Sequence, residues 1–330
     1  MSHKYTFITF CFKQSHDILN EEATDGESWN VMRIGIYLLM LLVPFFWGGA
    51  FVAAEHIITE IHPLIAAAFR FLMAGLLLLI IIFKSGQFSQ QSFKKRWILI
   101  TLMALTGIFG YNIFFFYGLQ MTSAINGSLI IATTPSFMTL GAVLFFKERW
   151  NKYIGLGIIL SFIGVVVVLT EGQLHTLFQL NFNNGDILFI FALICWISHG
   201  LLGKVVMQDV SPMITTTFST LIGALLLCIV TLPKLEKWHQ LLTMSKQSWL
   251  EMSFMIVCSS VLAFLIWNYG IQQIGASQAS IYMNLVPINT ALLAILVYDS
   301  PMLLSQIIGM IVVIIGVYFV TVHQYLMVKR

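Results

Sequence analysis

The chain writes one stretch twice. Tyr117 to Val168, opening YGLQMTSAINGSLIIATTPSF, returns from Tyr269. The offset is 152 residues (269 minus 117), and it pairs Gly118 with Gly270, Gln120 with Gln272, Ala124 with Ala276, Pro135 with Pro287, Gly157 with Gly309 and Gly164 with Gly316. A duplication this long constrains the fold before any single residue does, because both copies have to adopt one shape and the two have to fit together. Upstream, an offset of 149 pairs Trp47 with Trp196, Pro63 with Pro212, Phe69 with Phe218 and Leu72 with Leu221, so each copy is half of the protein.

Apolar runs build the halves. Charged residues are 9% and apolar ones 58% of the chain, with mean hydropathy +0.89, whereas a soluble domain carries about 25% charged residues. A bilayer core of about 30 Å takes roughly 20 apolar residues per crossing. Spans are predicted at 33–54, 64–83, 97–118, 124–146, 153–170, 186–206, 213–232, 250–270, 277–298 and 303–323. Each is read as a helix, because an unpaired backbone group in lipid costs several kcal/mol and no alternating barrel pattern is present. The expected fold is an all-α polytopic membrane protein of ten transmembrane helices in two five-helix repeats. Since five is odd, the second repeat enters the membrane from the opposite side, giving the inverted pair typical of alternating-access carriers.

Basic residues set the orientation. With the amino terminus inside, Lys84, Lys94, Lys95, Arg96, Lys147, Arg149, Lys152, Lys204, Lys329 and Arg330 all fall on the cytoplasmic side, and only Lys234, Lys237 and Lys246 fall outside. The expectation is a multi-pass protein of the inner (cytoplasmic) membrane with both termini cytoplasmic. It divides into a polar tail at 1–32, repeats at 33–170 and 171–323, and a short basic tail at 324–330. Met32-Arg33 stands before the first apolar run, so translation from Met32 is an alternative to Met1.

Cys11, Cys195, Cys228 and Cys258 stand singly, without the spacing of a zinc site or a disulfide framework. No nucleophile elbow, HExxH or phosphate-binding loop occurs. No metal, cofactor, nucleic-acid partner or enzymatic reaction is expected; the expected partners are lipid and a small-molecule substrate, with the chain a monomer or a homodimer.

FFWGGAFVAAE, HPLIAAAFRFLMAGLLLL, YGLQMTSAINGSLIIATTPSF and KERWNKYIGLGIILSFIGVVVV, in that order, resemble the EamA-like family of the drug/metabolite transporter superfamily, over about Arg33 to Val322. The resemblance implies transport of a small metabolite, often export of amino acids or related compounds, commonly coupled to protons. Drug or cation efflux, or uptake, on the same fold is an alternative, and a non-transporting membrane receptor or assembly protein is the alternative of another class. It also implies a central cavity lined mainly by the third, fourth, eighth and ninth helices, with the first and sixth contributing.

Within the spans, Pro135 and Pro287 each remove a backbone donor and free a carbonyl, so each is a hinge beside the substrate or a static kink. Asn126, Ile130, Thr133 and Phe137 share a face by spacing, and their partners are Gln278, Tyr282, Leu285 and Asn289. That face lines the cavity or supplies interhelical hydrogen bonds. Asn112, Asn268, Trp47 and Trp196 are further cavity candidates. His199 is a cavity candidate too, and the proton-linked one, or else a hydrogen-bonded core histidine. Arg70 lies about 10 Å into the membrane from Pro63 at 1.5 Å per residue, where it binds a carboxylate or ties helices together. Gly157 and Gly164, with Gly309 and Gly316, form two small-residue seams for helix packing.

Overall fold

The computed structural model describes residues 35–146, 152–169, 183–299 and 302–328. The expectations for the 1–32 tail, the Met32 start, Cys11 and the Lys147–Arg149 cluster lie outside the described residues. Among the described residues there are ten helical rods and no strands. They are α1 (Gly35–Glu60), α2 (Pro63–Lys84), α3 (Phe93–Leu119), α4 (Ala124–Phe146), α5 (Lys152–Leu169), α6 (Asn184–Val206), α7 (Pro212–Thr231), α8 (Lys246–Ile274), α9 (Ala276–Tyr298) and α10 (Leu304–Val328). Eight helices, all but α5 and α10, are long and apolar enough to cross a membrane; α5 and α10 carry shorter apolar stretches, Gly155–Gly164 and Leu304–Gly316. α10 continues as helix through the expected tail to Val328.

Polar caps start these apolar helices. His62 Nδ1 accepts from Leu64 N ahead of α2, Ser123 Oγ from Asn126 N ahead of α4, Asn183 Oδ1 from Gly185 N ahead of α6, and Ser211 Oγ from Ile214 N ahead of α7. Each cap satisfies a donor left open by the first turn, and Pro63 and Pro212 sit at the first helical position, where no donor is missed. The α8–α9 turn is tight because Gly275 takes φ +86°, a conformation glycine adopts without strain.

The packing follows the duplication. α2 lies on α7 and α5 on α10, each on its own repeat equivalent; α1 lies on α9 as α6 lies on α4. The glycine seams meet at the α5–α10 crossing: a Cβ on Gly316 would stand 2.7 Å from the Gly157 carbonyl, and one on Gly164 would stand 2.9 Å from the Gly309 carbonyl.

Irregular turns also repeat in register. α3 winds as a π-helix over Ala104–Gly110 and α8 over Met255–Leu262, and adding 152 to the first range gives 256–262. α4 breaks at Ala132–Thr133 just before Pro135, and α9 tightens to a 3-10 turn over Ile281–Asn284 just before Pro287. π-segments inside helices recur at functional sites, and here all four irregularities lie inside their helices and away from the ends. After α7, a 3-10 segment over Leu232–Thr243 runs across the end of the bundle that carries Glu60; that end is the Glu60 face below, and its opposite is the Lys84 face.

Candidate functional site

A cavity of about 30 Å³ lies at the centre of the bundle. Its walls come from α1, α2, α3, α6, α8 and α9, among them Trp47, Arg70, Tyr111, Asn112, Trp196 and Phe264. Its size is about that of one water, so these side chains must separate to admit anything larger.

The walls are aromatic. Trp47 and Trp196 meet edge to face with centroids 5.0 Å apart, and Trp267 packs on both at 5.3 and 5.5 Å. Phe264 touches both Trp47 and Trp196 at 5.7 Å. Such rings give apolar area and electron-rich faces. Trp47 Nε1 donates to the Ser259 carbonyl at 3.2 Å, inside the π-segment of α8.

Arg70 is the one charged residue of the wall. It is 4% exposed, with Nε donating to Ser260 Oγ at 2.7 Å and Nη2 to Ser259 Oγ at 2.8 Å. Both acceptors are neutral hydroxyls, and among the described residues no carboxylate pairs with the guanidinium. A charge at membrane depth costs at least about 2.5 kcal/mol, and two serines offset part of that without cancelling the charge. Two further buried atoms of the wall have no partner among the described residues: Asn112 Oδ1, an acceptor, and Trp196 Nε1, a donor.

Of the residues expected to line a cavity, then, Trp47, Asn112 and Trp196 stand on this wall, together with Arg70. Asn126 sits instead in a second space, a cleft of about 500 Å³ on the Glu60 face, where its Oδ1 accepts from Gln306 Nε2 at 2.7 Å. Glu55 lines the same cleft and accepts from Ala124 N at 3.1 Å. Thr133 is buried and returns its hydroxyl to the Ile130 carbonyl at 2.7 Å. Thr134 Oγ1 likewise reaches the Ile131 carbonyl at 2.5 Å, the group that Pro135 cannot bond, so α4 satisfies its own break and lends nothing to the central wall.

In the second repeat, Asn289 Nδ2 donates to the Leu285 carbonyl at 2.8 Å, Tyr282 OH to the Tyr37 carbonyl at 3.1 Å, and Gln278 is exposed. His199 is fully buried, its ring stacked on Trp196 at 5.3 Å and 15°, with Nδ1 3.0 Å from the Met103 carbonyl. A carbonyl only accepts, so Nδ1 carries the hydrogen of this bond, and Nε2 has no partner among the described residues. Asn268 donates to Thr216 Oγ1 at 2.7 Å.

Sequence reasoning passed over Ser259 and Ser260, Tyr111, Phe264 and Trp267. The signal for the serines was present: two adjacent hydroxyls in the apolar run MIVCSSVLAF ask for a polar partner. It also passed over the ends of the bundle. On the Glu60 face, Glu251 of α8 accepts from Tyr298 OH of α9 and faces His56 Nδ1 of α1 at 2.7 Å, tying three helices. On the Lys84 face, Asp209 accepts from Lys95 Nζ at 2.9 Å and from Arg96 Nε at 2.7 Å, tying α3 to the α6–α7 turn. Those hydrogen bonds hold the Asp209 carboxyl below the usual aspartate value.

A sequence model of the EamA-like transporter family matches twice, over 34–170 and 183–322. The uncharacterized transporter YyaM of Bacillus subtilis (strain 168) is 35% identical over 86% of this chain and 93% of its own length. An uncharacterized transporter of Archaeoglobus fulgidus is 27% identical over 89% of this chain and 100% of its own. A crystal structure at 15% identity superposes with a TM-score of 0.65, covering 88% of this chain and 98% of that one, which is a likeness of fold.

Proposed function

The chain belongs to the EamA-like transporter family, and from that premise we propose that it is a secondary carrier, working by alternating access around the central aromatic cavity and exporting a small metabolite. The observation that carries this reading is the register-matched pair of π-segments. They lie at equivalent places of α3 and α8, the first ending next to the wall residue Tyr111 and the second contributing Ser259 to the wall of a cavity that also includes the repeat-equivalent Trp47 and Trp196. Two oppositely inserted halves that bend at matched points beside a shared site can exchange conformations, so that the site faces one side and then the other.

The two ends of the bundle support it. The Glu60 face holds a 500 Å³ cleft beside the Glu251 tie of α1, α8 and α9, while the Lys84 face is tied by the Asp209 pairs. By the basic-residue distribution the Lys84 face and both termini are cytoplasmic, and the membrane of this reading is the inner (cytoplasmic) one. Export is the direction implied by the sequence resemblance; proton coupling, with His199 as its candidate, belongs to the same reading, as does a monomer or homodimer.

The test is uptake into proteoliposomes of a panel of amino acids, organic acids, purines and cationic drugs, with and without a pH gradient. Saturable protein-dependent flux of at least one class is expected, and its absence for every class would contradict the carrier.

A further inference from the structure

Resting on the carrier reading above, we infer that the central cavity takes a small monocarboxylate with a flat or apolar body. Arg70 is on the wall, 4% exposed. Its Nε and Nη2 are held by Ser260 and Ser259, which leaves three of the five guanidinium N–H donors without a protein acceptor among the described residues. The serines fix the plane of the guanidinium without neutralising it. A carboxylate meets that geometry with two parallel hydrogen bonds and supplies the missing charge.

The charge count narrows the ligand further. One fixed cation faces aromatic rings and no acid, so a monoanion leaves the loaded site neutral, whereas a phosphate dianion leaves a net negative charge and a cation adds to Arg70 in low dielectric. A zwitterion leaves the charge of Arg70 uncompensated, because its α-ammonium group finds no carboxylate on the wall, so the simple acid is favoured. The body of the ligand falls between Trp47, Trp196 and Phe264. Asn112 is 1% exposed and its Oδ1 has no partner among the described residues, so it calls for a ligand O–H or N–H.

The experiment uses the purified chain in liposomes at pH 8 with four matched solutes, 4-hydroxybenzoate, tyrosine, tyramine and 4-hydroxybenzamide, and with benzoate as the reference that lacks the hydroxyl. Calorimetric binding in nanodiscs runs beside it. Uptake of 4-hydroxybenzoate is expected to exceed that of each of the others by about tenfold or more, and Arg70→Gln to lower its uptake and binding by about twentyfold or more. Because Arg70→Gln could fail to fold, Asn112→Leu is the second variant, and it is expected to reduce the preference for 4-hydroxybenzoate over benzoate to about one.

Faster flux of tyramine, tyrosine or 4-hydroxybenzamide overturns the monocarboxylate while the carrier stands. Binding of 4-hydroxybenzoate that depends on Arg70, with no flux of any solute, keeps the ligand class and removes the carrier. Neither binding nor flux of 4-hydroxybenzoate overturns the inference, as does a folded Arg70→Gln protein with normal rates.

Discussion

The indole rings of Trp47 and Trp196 meet at 89° with centroids 5.0 Å apart, and the two residues hold the same place in the two repeats. The duplication thus closes on itself at one contact between α1 and α6. Both rings stand on the wall of a cavity that holds about one water, so their contact has to break before cargo of any size can enter.

Trp47→Phe keeps most of the ring area and deletes the Nε1–H bond to the Ser259 carbonyl. That carbonyl belongs to a π-segment, where the regular helical bond is displaced. A loss of about 1 kcal/mol in stability is expected, read by thermal melting in detergent, together with slower transport. A melting curve identical to wild type would mean that the bond is dispensable.

Gly316→Leu should damage the fold itself. A Cβ there lies 2.7 Å from the Gly157 carbonyl, and backbone cannot swing aside as a side chain can. The expected cost is about 1 to 3 kcal/mol or more, seen as a lower melting temperature and a loss of monodisperse protein on gel filtration. Gly35→Leu, where a Cβ meets nothing within 4 Å, is the control that should stay close to wild type.

His62 makes the α2 cap sensitive to pH. Its Nδ1 accepts from Leu64 N at 3.2 Å and its Nε2 lies 2.9 Å from Lys234 Nζ. A neutral ring has one bare nitrogen, so it serves one of these partners at a time, and a protonated ring serves neither. Burial, then Lys234 and Lys237, hold its pKa below the ordinary 6.5. The folded state therefore binds fewer protons than the unfolded one, and the contribution is complete above 6.5 and is lost as pH falls through 6.5 and below. Between pH 7.5 and 5.5 the wild type should lose melting temperature relative to His62→Asn, which caps without titrating. Parallel pH profiles would refute the assignment.

At the Lys84 face, Asp209→Asn removes both ion pairs to Lys95 and Arg96. Amide hydrogen exchange over residues 93–99 and 207–211 should speed up, with little change in α5 or α10. Because the Asp209 carboxyl is held below its ordinary 3.8, the wild-type tie is complete above that value and weakens only in stronger acid. Faster exchange in wild type already at pH 5 would argue against a carboxylate clasp.

Much of the architecture was legible because lipid imposes it. Eight of the ten predicted spans lie within four residues of the helix ends at both edges; α1 runs on to Glu60 and α10 to Val328. The glycines at 157, 164, 309 and 316 could be read because a helix crossing needs small residues at one spacing, whatever its partner. The site was legible only in part. Helical spacing shows that Asn126, Thr133 and Asn289 lie on polar faces, but not what those faces meet. Thr133 and Asn289 satisfy carbonyls of their own helices, and Asn126 turns to Gln306 of α10, 180 residues away in the chain. The central wall depends on contacts between halves, such as Arg70 with Ser259 and Ser260, that no local pattern encodes.

Reciprocal motion of the two ends is the central claim, and paired spin-label distances in nanodiscs measure it directly. One pair, Asn183→Cys with Leu303→Cys, spans the cleft of the Glu60 face; the other, Gln91→Cys with Gln278→Cys, spans the Lys84 face, and all four residues are exposed. Adding Asp209→Asn releases the Lys84 face, and the account predicts that the second distance lengthens while the first shortens. A Lys84 face that opens while the Asn183–Leu303 distance stays as in the parent would contradict alternating access in this protein.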